Sequence, residues 1–542
     1  MSFVSTMKQT FMSNEAGMST TVIVTAPAAA AIAAKGSVVP PRSAGSVLAT
    51  AAATCALIVL DTNVVAVSLP SIARSFHAGF ADVEWVVSAY MLSFASCLLP
   101  MGGLADRYGR KNTMLLGLLV FAIASLGCGL APSVMFLNFS RVAKGFGAAM
   151  LLTSALAVIA HAFPAPRERV RAWAIWGMTM GIATTIAPLI GGLIAQWVGW
   201  RWIFLLNLPV CVVLIFCTRR VVTNSRNPHA RRIDFAGSLF FGIGLACGIW
   251  ALIGAQDDGW RSAATEARVA GCVLLLAGFI AIERRVGNAV IDLALFRQAR
   301  FVAAVLGMFG YAACAQVMMT FLPLYLQNAF GWTPICAGLG MLPFALSMIV
   351  GPWLGARIGR HATGPTSILS AGLALVGVGD LLTAIAVQSG AYSWVAFGMI
   401  VTGLGAGVLN GDTQKAIMAC VPPNRSGMAS GISTTTRFTA IVTSIGVLGA
   451  VLASRARSAI DAAMTCHTSG KACVDAQFMS DLLAGDISHA LARLAPDLQP
   501  AMRSIAPAGF ASGFASALSV AGVLALSISV AIWLLAGRRR PA

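Results

Sequence analysis

The sequence predicts an all-α polytopic membrane protein, and three observations carry the prediction. First, 58% of the 542 residues are hydrophobic, only 10% are charged and the mean hydropathy is +0.82, whereas soluble domains are about 45–50% apolar and about 25% charged. Second, apolar runs of roughly 20 residues recur along the chain, the length that crosses a hydrocarbon core about 30 Å thick. Third, the basic residues behind the net charge of +18 are scattered through short segments between those runs. Such scatter suits the positive-inside rule. It excludes nucleic acid as a partner, because no basic patch interleaved with aromatics occurs.

Residues 1–45 are rich in Ser, Thr and Ala and contain Pro27, Pro40, Pro41 and Arg42. Val22–Ala34 mimics the apolar core of a signal peptide, but its flanks are poor and a spanning run follows at once. The segment reads as a disordered cytoplasmic tail. Fourteen spans follow. The first six lie at about Gly45–Leu69, Trp85–Leu104, Thr113–Leu130, Val134–Ala160, Ala172–Val198 and Trp202–Thr218. Spans 7 to 10 lie at about Phe235–Gly254, Ala267–Ile282, Phe301–Leu326 and Ile335–Ala356. Spans 11 to 14 lie at about Thr366–Val387, Trp394–Asn410, Gly427–Ala453 and Phe510–Ala536.

An even number of spans puts both termini on one side. With the N-terminus inside, 25 of the 37 Lys and Arg residues fall in inner segments and nine in outer ones, five of those nine in the last outer loop. Positive charge marks the cytoplasmic face, so both termini are expected there, in a cell inner (plasma) membrane. The last outer loop, 454–509, is the only long one. It holds Cys466 and Cys473, seven positions apart, while the other ten cysteines sit in or at the ends of apolar runs. An extracytoplasmic space permits a Cys466–Cys473 disulfide; the alternative is two free thiols. His467 adds no metal site, since no acid stands at suitable spacing.

Between spans 2 and 3 lies the densest charge of the first half, Gly102–Lys111, reading G-G-L-A-D-R-Y-G-R-K. It has an echo 250 residues on: Leu104, Arg107, Gly109 and Arg110 fall on Leu354, Arg357, Gly359 and Arg360, while Asp106 becomes Ala356 and Lys111 becomes His361. A second echo joins Gly145-Phe146-Gly147-Ala148 of span 4 to Gly403-Leu404-Gly405-Ala406 of span 12, at an offset of 258. The simplest account is two six-span halves, 46–220 and 299–542, with spans 7 and 8 inserted between them at 221–298. Parallel halves of this kind are a transporter architecture, with substrate bound between them near the bilayer midplane.

Here the sequence resembles the major facilitator superfamily, whose signature loop after the second span is G-x-L-x-D-R-x-G-R-K. Further stretches resemble its fourteen-span drug:proton antiporter branch (the EmrB/QacA group). They are Leu60-Asp61-Thr62-Asn63-Val64 through Leu69-Pro70, Arg141-Val142-Ala143-Lys144-Gly145 through Ala149, Gly181 through Ala187-Pro188-Leu189-Ile190-Gly191-Gly192, and Gly199-Trp200-Arg201-Trp202-Ile203-Phe204 leading to Asn207-Leu208-Pro209. The chain departs from the branch in carrying Lys144 where Gln is usual, Ala187 where Gly precedes the proline, and no acids in span 13. The resemblance implies a proton-coupled exporter of lipophilic small molecules, cations included, working by alternating access. The alternatives are a proton-coupled uptake symporter or an exporter of one metabolite. It implies a monomer in the lipid bilayer with no cofactor, the proton gradient being the energy source, and admits a periplasmic adaptor protein as partner.

The residues themselves limit the chemistry. Phosphate-binding, zinc-protease and serine-hydrolase motifs are all absent, so neither an ATP-driven pump nor an enzyme is expected. Asp61 lies deep in span 1, where a carboxylate is costly and faces a cavity or a partner. It reads as a proton site or as a structural hydrogen bond. Arg141 stays charged and is either paired in the interior, as the resemblance to proton-coupling arginines implies, or snorkels to the surface. Lys144, one turn on, needs a counter-charge or is neutral. Gly181, Gly191 and Gly192 with Pro188 suit close helix packing and a bend in span 5. Asp380 in span 11 lines a cavity or lies near the outer surface, and Arg437 in span 13 is a further cavity candidate. Gly102, Asp106, Arg107, Gly109, Arg110 and Lys111, with Arg357, Gly359 and Arg360, are expected to form a cytoplasmic gate in which Asp106 pairs across the seam between the halves.

Overall fold

The computed structural model describes residues 41–226, 235–285, 293–316, 318–359, 365–421, 426–465, 476–485, 487–492 and 499–537. Arg360, Cys466, Cys473 and residues 1–40 of the tail lie outside them. Among the described residues thirteen helices are long and apolar enough to cross a membrane. A fourteenth span is the pair Phe80–Leu98 and Pro100–Tyr108, bent by 53°. Proline at position 100 explains the bend, because it removes a hydrogen bond and crowds the preceding turn.

The first half comprises α1 (Pro41–Phe76), α2 (Phe80–Tyr108), α3 (Arg110–Gly129), α4 (Val134–Ala162) and α5 (Pro166–Trp197), then α6 (Arg201–Leu205) and α7 (Asn207–Val221), which share the sixth span. The inserted pair is α8 (Phe235–Asp258) and α9 (Ala263–Arg285). In the second half, span 9 is broken into α10 (Ala299–Gly310), a π-helical segment (Tyr311–Gln316) and α11 (Met318–Asn328). Span 10 is α12 (Pro334–Gly340) followed by α13 (Leu342–Gly359). Then come α14 (Pro365–Gln388), α15 (Tyr392–Ala419) and α16 (Ser426–Thr465), the short α17 (Ala476–Ala484) and α18 (Ile487–Ala492), and α19 (Gln499–Gly537).

The internal repeat is visible in the packing. In the first half α4 packs against α2 and α3; in the second α15 packs in the same way against α13 and α14. The glycines of the span 4 and span 12 echo make these contacts possible. A Cβ on Gly145 would meet the Tyr90 carbonyl of α2 at 2.5 Å, and one on Gly403 the Phe344 carbonyl of α13 at 2.5 Å. On the other side Gly147 faces Gly117 and Phe121 of α3, and Gly405 faces Gly372 and Val376 of α14. Small residues let backbones approach where no hydrophobic force drives helices together.

The halves meet where α2 packs on α16, α5 on α12 and α13, and α1 on α11, and α8 of the inserted pair lies against both α2 and α16. Helices alternate in direction, so the chain has a loop face, carrying Gly102–Lys111, and an opposite face. Hydrogen bonds that join the halves at the opposite face run from Phe80 N to Ser480 Oγ, from Gln327 Nε2 to the Val67 carbonyl and from Ile335 N to Gln196 Oε1. Much of the segment expected as a long loop at 454–509 is helical instead. α16 runs on to Thr465, α19 begins at Gln499, and α17 buries Phe478, Met479, Leu482 and Leu483. Those four share one helix face, which gives a short segment an apolar side to dock.

Candidate functional site

The polar centre of the first half is built on α1, α4 and α7. Asp61 of α1 accepts from Arg141 Nη1 at 3.0 Å through Oδ2 and from Asn207 Nδ2 at 3.0 Å through Oδ1. Lys144 Nζ binds that same Oδ1. The side chains of Arg141, Lys144 and Asp61 are all fully shielded from solvent. Two cations one turn apart on α4 therefore hold one carboxylate, leaving a buried net charge of +1. Arg141 is not snorkelling, and Lys144 has the counter-charge its position demanded. The remaining charge is spread over aromatic faces. The Arg141 guanidinium lies 4.2 Å from the Tyr90 ring centroid, and Lys144 Nζ is 4.8 Å from both Phe121 and Phe204. Such contacts favour a desolvated cation by about 2 kcal/mol. Arg141 Nε donates to the Val86 carbonyl of α2 at 2.8 Å, fixing the plane of the guanidinium.

Asn207 and the aromatic walls were not foreseen as site residues. Asn207 stands where α6 gives way to α7, inside the quoted stretch that ends Asn207-Leu208-Pro209; an amide at the start of an apolar span was the available signal. Tyr90, Phe121 and Phe204 carried none, since aromatic residues in spans are ordinary.

The Gly102–Lys111 stretch is a staple of the first half. Asp106 accepts from Arg110 Nη2 at 3.0 Å, within the stretch itself. Arg110 also donates to the Ala157 carbonyl of α4, and Lys111 Nζ to the Arg219 carbonyl of α7 at 2.7 Å. Gly109 has φ +106°, and a Cβ there would strike the Asn224 side chain at 2.3 Å, so glycine is required. The expected pairing of Asp106 across the seam is thus replaced by a local ion pair: Arg110 is four residues away on the continuing chain and reaches it first. Arg107 and Arg357 are exposed, each over a neighbouring ring, Tyr108 and Trp353. Gly102 makes only ordinary contact, with Thr153 of α4, and Gly359 closes α13.

The span 5 motif divides. Gly191 fits against the Val64 carbonyl of α1 and Gly192 against the Pro334 carbonyl of α12, at 2.8 and 2.5 Å from a built Cβ. Pro188 lies under Gly338 of α12. Gly181 does no such packing: a Cβ there meets nothing within 4 Å, and Gly177 is equally open. α5 is continuous through Pro188. It is therefore clamped near the opposite face, while along its middle the side with Gly177 and Gly181 is open and the other side packs on α1. A cavity of about 360 Å³ lined by Arg74, Gln327, Asn328, Trp332 and Gly485 lies over the clamped end, away from Asp61.

In the second half Arg437 is partly exposed, donates to Gln316 Oε1 at 2.9 Å and lies over Tyr311. Tyr311 in turn donates to Asn410 Oδ1 at 3.0 Å. Asp380 exposes none of its surface to solvent. It is fully buried between α14 and α15.

The profile of the Major Facilitator Superfamily matches residues 51–446. The chain belongs to that superfamily. Among similar proteins, the multidrug resistance protein Stp of Mycobacterium tuberculosis is 36% identical over 73% of this chain and 74% of its own. The tetracenomycin C resistance and export protein of Streptomyces glaucescens is 32% identical over 74% of each. The multidrug efflux pump LfrA of Mycolicibacterium smegmatis is 30% identical over 91% of this chain and 96% of its own. A bacterial homolog of the human lysosomal transporter Spinster, solved inward-facing and unoccupied, shares the fold at a TM-score of 0.61 and 17% identity, covering 93% of this chain and all of that one. The superfamily protein described here is a multi-pass membrane transporter of small molecules, not an enzyme.

Proposed function

We propose that this transporter is a proton-coupled exporter of lipophilic small molecules, cations among them, in the cell membrane with both termini and the Gly102–Lys111 face cytoplasmic. The observation that carries the reading is the buried Asp61–Arg141–Lys144 cluster. Its acid and its two cations sit on different helices, α1 and α4. Ionised Asp61 draws α1 to α4. A proton on Asp61 removes that attraction and leaves two cations one turn apart, so the α1–α4 packing that fits one protonation state does not fit the other. Proton entry and substrate binding can then favour opposite states, and only such differential binding shifts a conformational equilibrium. The clamp of α5 against α12, with α5 open at Gly181, fits a state closed to the outside and accessible from the cytoplasm. Export agrees with the names of the similar proteins, which are resistance and efflux proteins.

The test is everted membrane vesicles loaded by an imposed pH gradient, acid inside, with a panel of cationic and uncharged lipophilic drugs outside. Export coupled to protons fills the vesicles and stops when the gradient is collapsed. Accumulation only with the gradient reversed indicates an uptake symporter and defeats the proposal.

A further inference from the structure

The internal repeat points to a second titrating carboxyl group. The matched glycine contacts fix the register: Gly145 answers to Gly403, so Lys144 answers to Thr402, and Phe121 answers to Val376, so Ser125 answers to Asp380. Counting back nine residues from Pro70 and from Pro323, the two prolines inside α1 and α11, Asp61 answers to Cys314. The second half thus keeps a polar centre at the same level, with different parts. Its acid has moved from the first span of the repeat to the third, and its lysine is a threonine.

Asp380 is 0% exposed. Thr402 Oγ1 donates to its Oδ1 at 3.0 Å, and Oδ2 has no partner among the described residues. No described cation forms an ion pair with it. The elements packed on α14 supply little else. α15 brings Thr402, the π-helical segment brings Cys314 within electrostatic reach, and the charged side chains that α10, α13 and α19 carry, Arg300, Arg357 and Arg503, each stand near an end of their helix. Arg437 of α16, which reaches the π-helical segment, is bound to Gln316. A lone carboxylate in such a place is far costlier than the neutral acid.

We propose that Asp380 is a second proton-binding site of the transporter, a neutral carboxylic acid in this conformation that releases its proton in the alternate one. The route of exchange is the π-helical segment beside it. Single π turns inside helices are frequent at functional sites. This one breaks span 9, receives Ser444 Oγ on the Ala313 carbonyl and, through Gln316, meets the partly exposed Arg437. Movement of Arg437 toward Asp380 would stabilise the carboxylate left behind. The proposal rests on proton coupling for its second half, but not for its first.

Infrared difference spectroscopy of the full-length protein in lipid at neutral pH reads the first half. The wild type shows the carbonyl stretch of a buried protonated carboxyl group, Asp380→Asn lacks it and Asp61→Asn retains it. Absence of a band assignable to Asp380 overturns the proposal, whatever transport shows. Proton release per substrate moved, measured with a pH dye in proteoliposomes, reads the second half: Asp380→Asn moves one proton fewer per cycle, and an unchanged ratio overturns the transport role. If Asp380→Asn does not insert, Thr402→Val removes the hydrogen bond from Oδ1 and shifts the same band; an unshifted band contradicts the assignment. A wild type with no proton dependence defeats the proposed function but leaves the infrared result standing.

Discussion

Asp61 serves two cations at once, and that ratio sets how the site responds to substitution. Asp61→Asn leaves Arg141 and Lys144 buried with no acid, and breaking a buried ion pair from one side costs about 3–5 kcal/mol. The expected outcome is a markedly lower melting temperature in detergent. Replacing Lys144 as well removes the surplus cation, so Asp61→Asn/Lys144→Gln should melt above Asp61→Asn alone. Simple addition of two losses would show that Lys144 is not coupled to Asp61. The sequence displayed each of these residues, since charges in apolar spans stand out, but not their pairing. Asp61 and Lys144 are 83 positions apart, and only the packing of α1 on α4 brings them together. Arg141→Lys is a further check. Lysine keeps the charge but loses the planar stack on Tyr90 and the bond from Nε to Val86, so transport should fall while insertion is kept; an unchanged rate would mean that charge alone suffices.

At the scale of elements, α5 and α12 pack closely near the opposite face, the contact proposed to close it. Gly192 and Gly338 leave no room for side chains against the Pro334 and Pro188 carbonyls, each at 2.5 Å from a built Cβ. Gly192→Leu should hold the seam apart, abolish transport and leave the helices folded. A short thiol cross-linker between Gln196→Cys and Ile335→Cys, positions joined by a hydrogen bond here, should react readily in an otherwise wild-type seam and poorly with Gly192→Leu. Equal cross-linking would contradict the clamp. Gly181→Leu faces open space and should be tolerated structurally. The span 5 motif was legible as a pattern of small residues, but the pattern does not say which glycine meets a neighbour. Helical structure within 454–509 was equally legible in hindsight: Phe478, Met479, Leu482 and Leu483 recur at helical spacing. Charged and small polar residues around them masked a stripe too short to suggest a span.

For the whole molecule, the two halves repeat one packing scheme while carrying different charges at its centre. The fold was legible because span length, loop charge and the two echoes are properties of sequence. The division of labour between halves was not, because both Asp61 and Asp380 read as single acids in apolar spans, and only the packing sets two cations beside one and Thr402 beside the other. The first half holds its acid between α1 and α4, and the proposed coupling ties protonation of that acid to the packing of those helices.

Proton exchange at the Asp61 cluster is proposed to power substrate movement. It is tested most directly in proteoliposomes with a fixed pH gradient, comparing uphill accumulation with downhill equilibration of one lipophilic drug. The wild type should accumulate the drug against its gradient. Asp61→Asn/Lys144→Gln, with the surplus charge removed, should still equilibrate it downhill but fail to concentrate it. Uphill accumulation by that variant at the wild-type level would contradict the account.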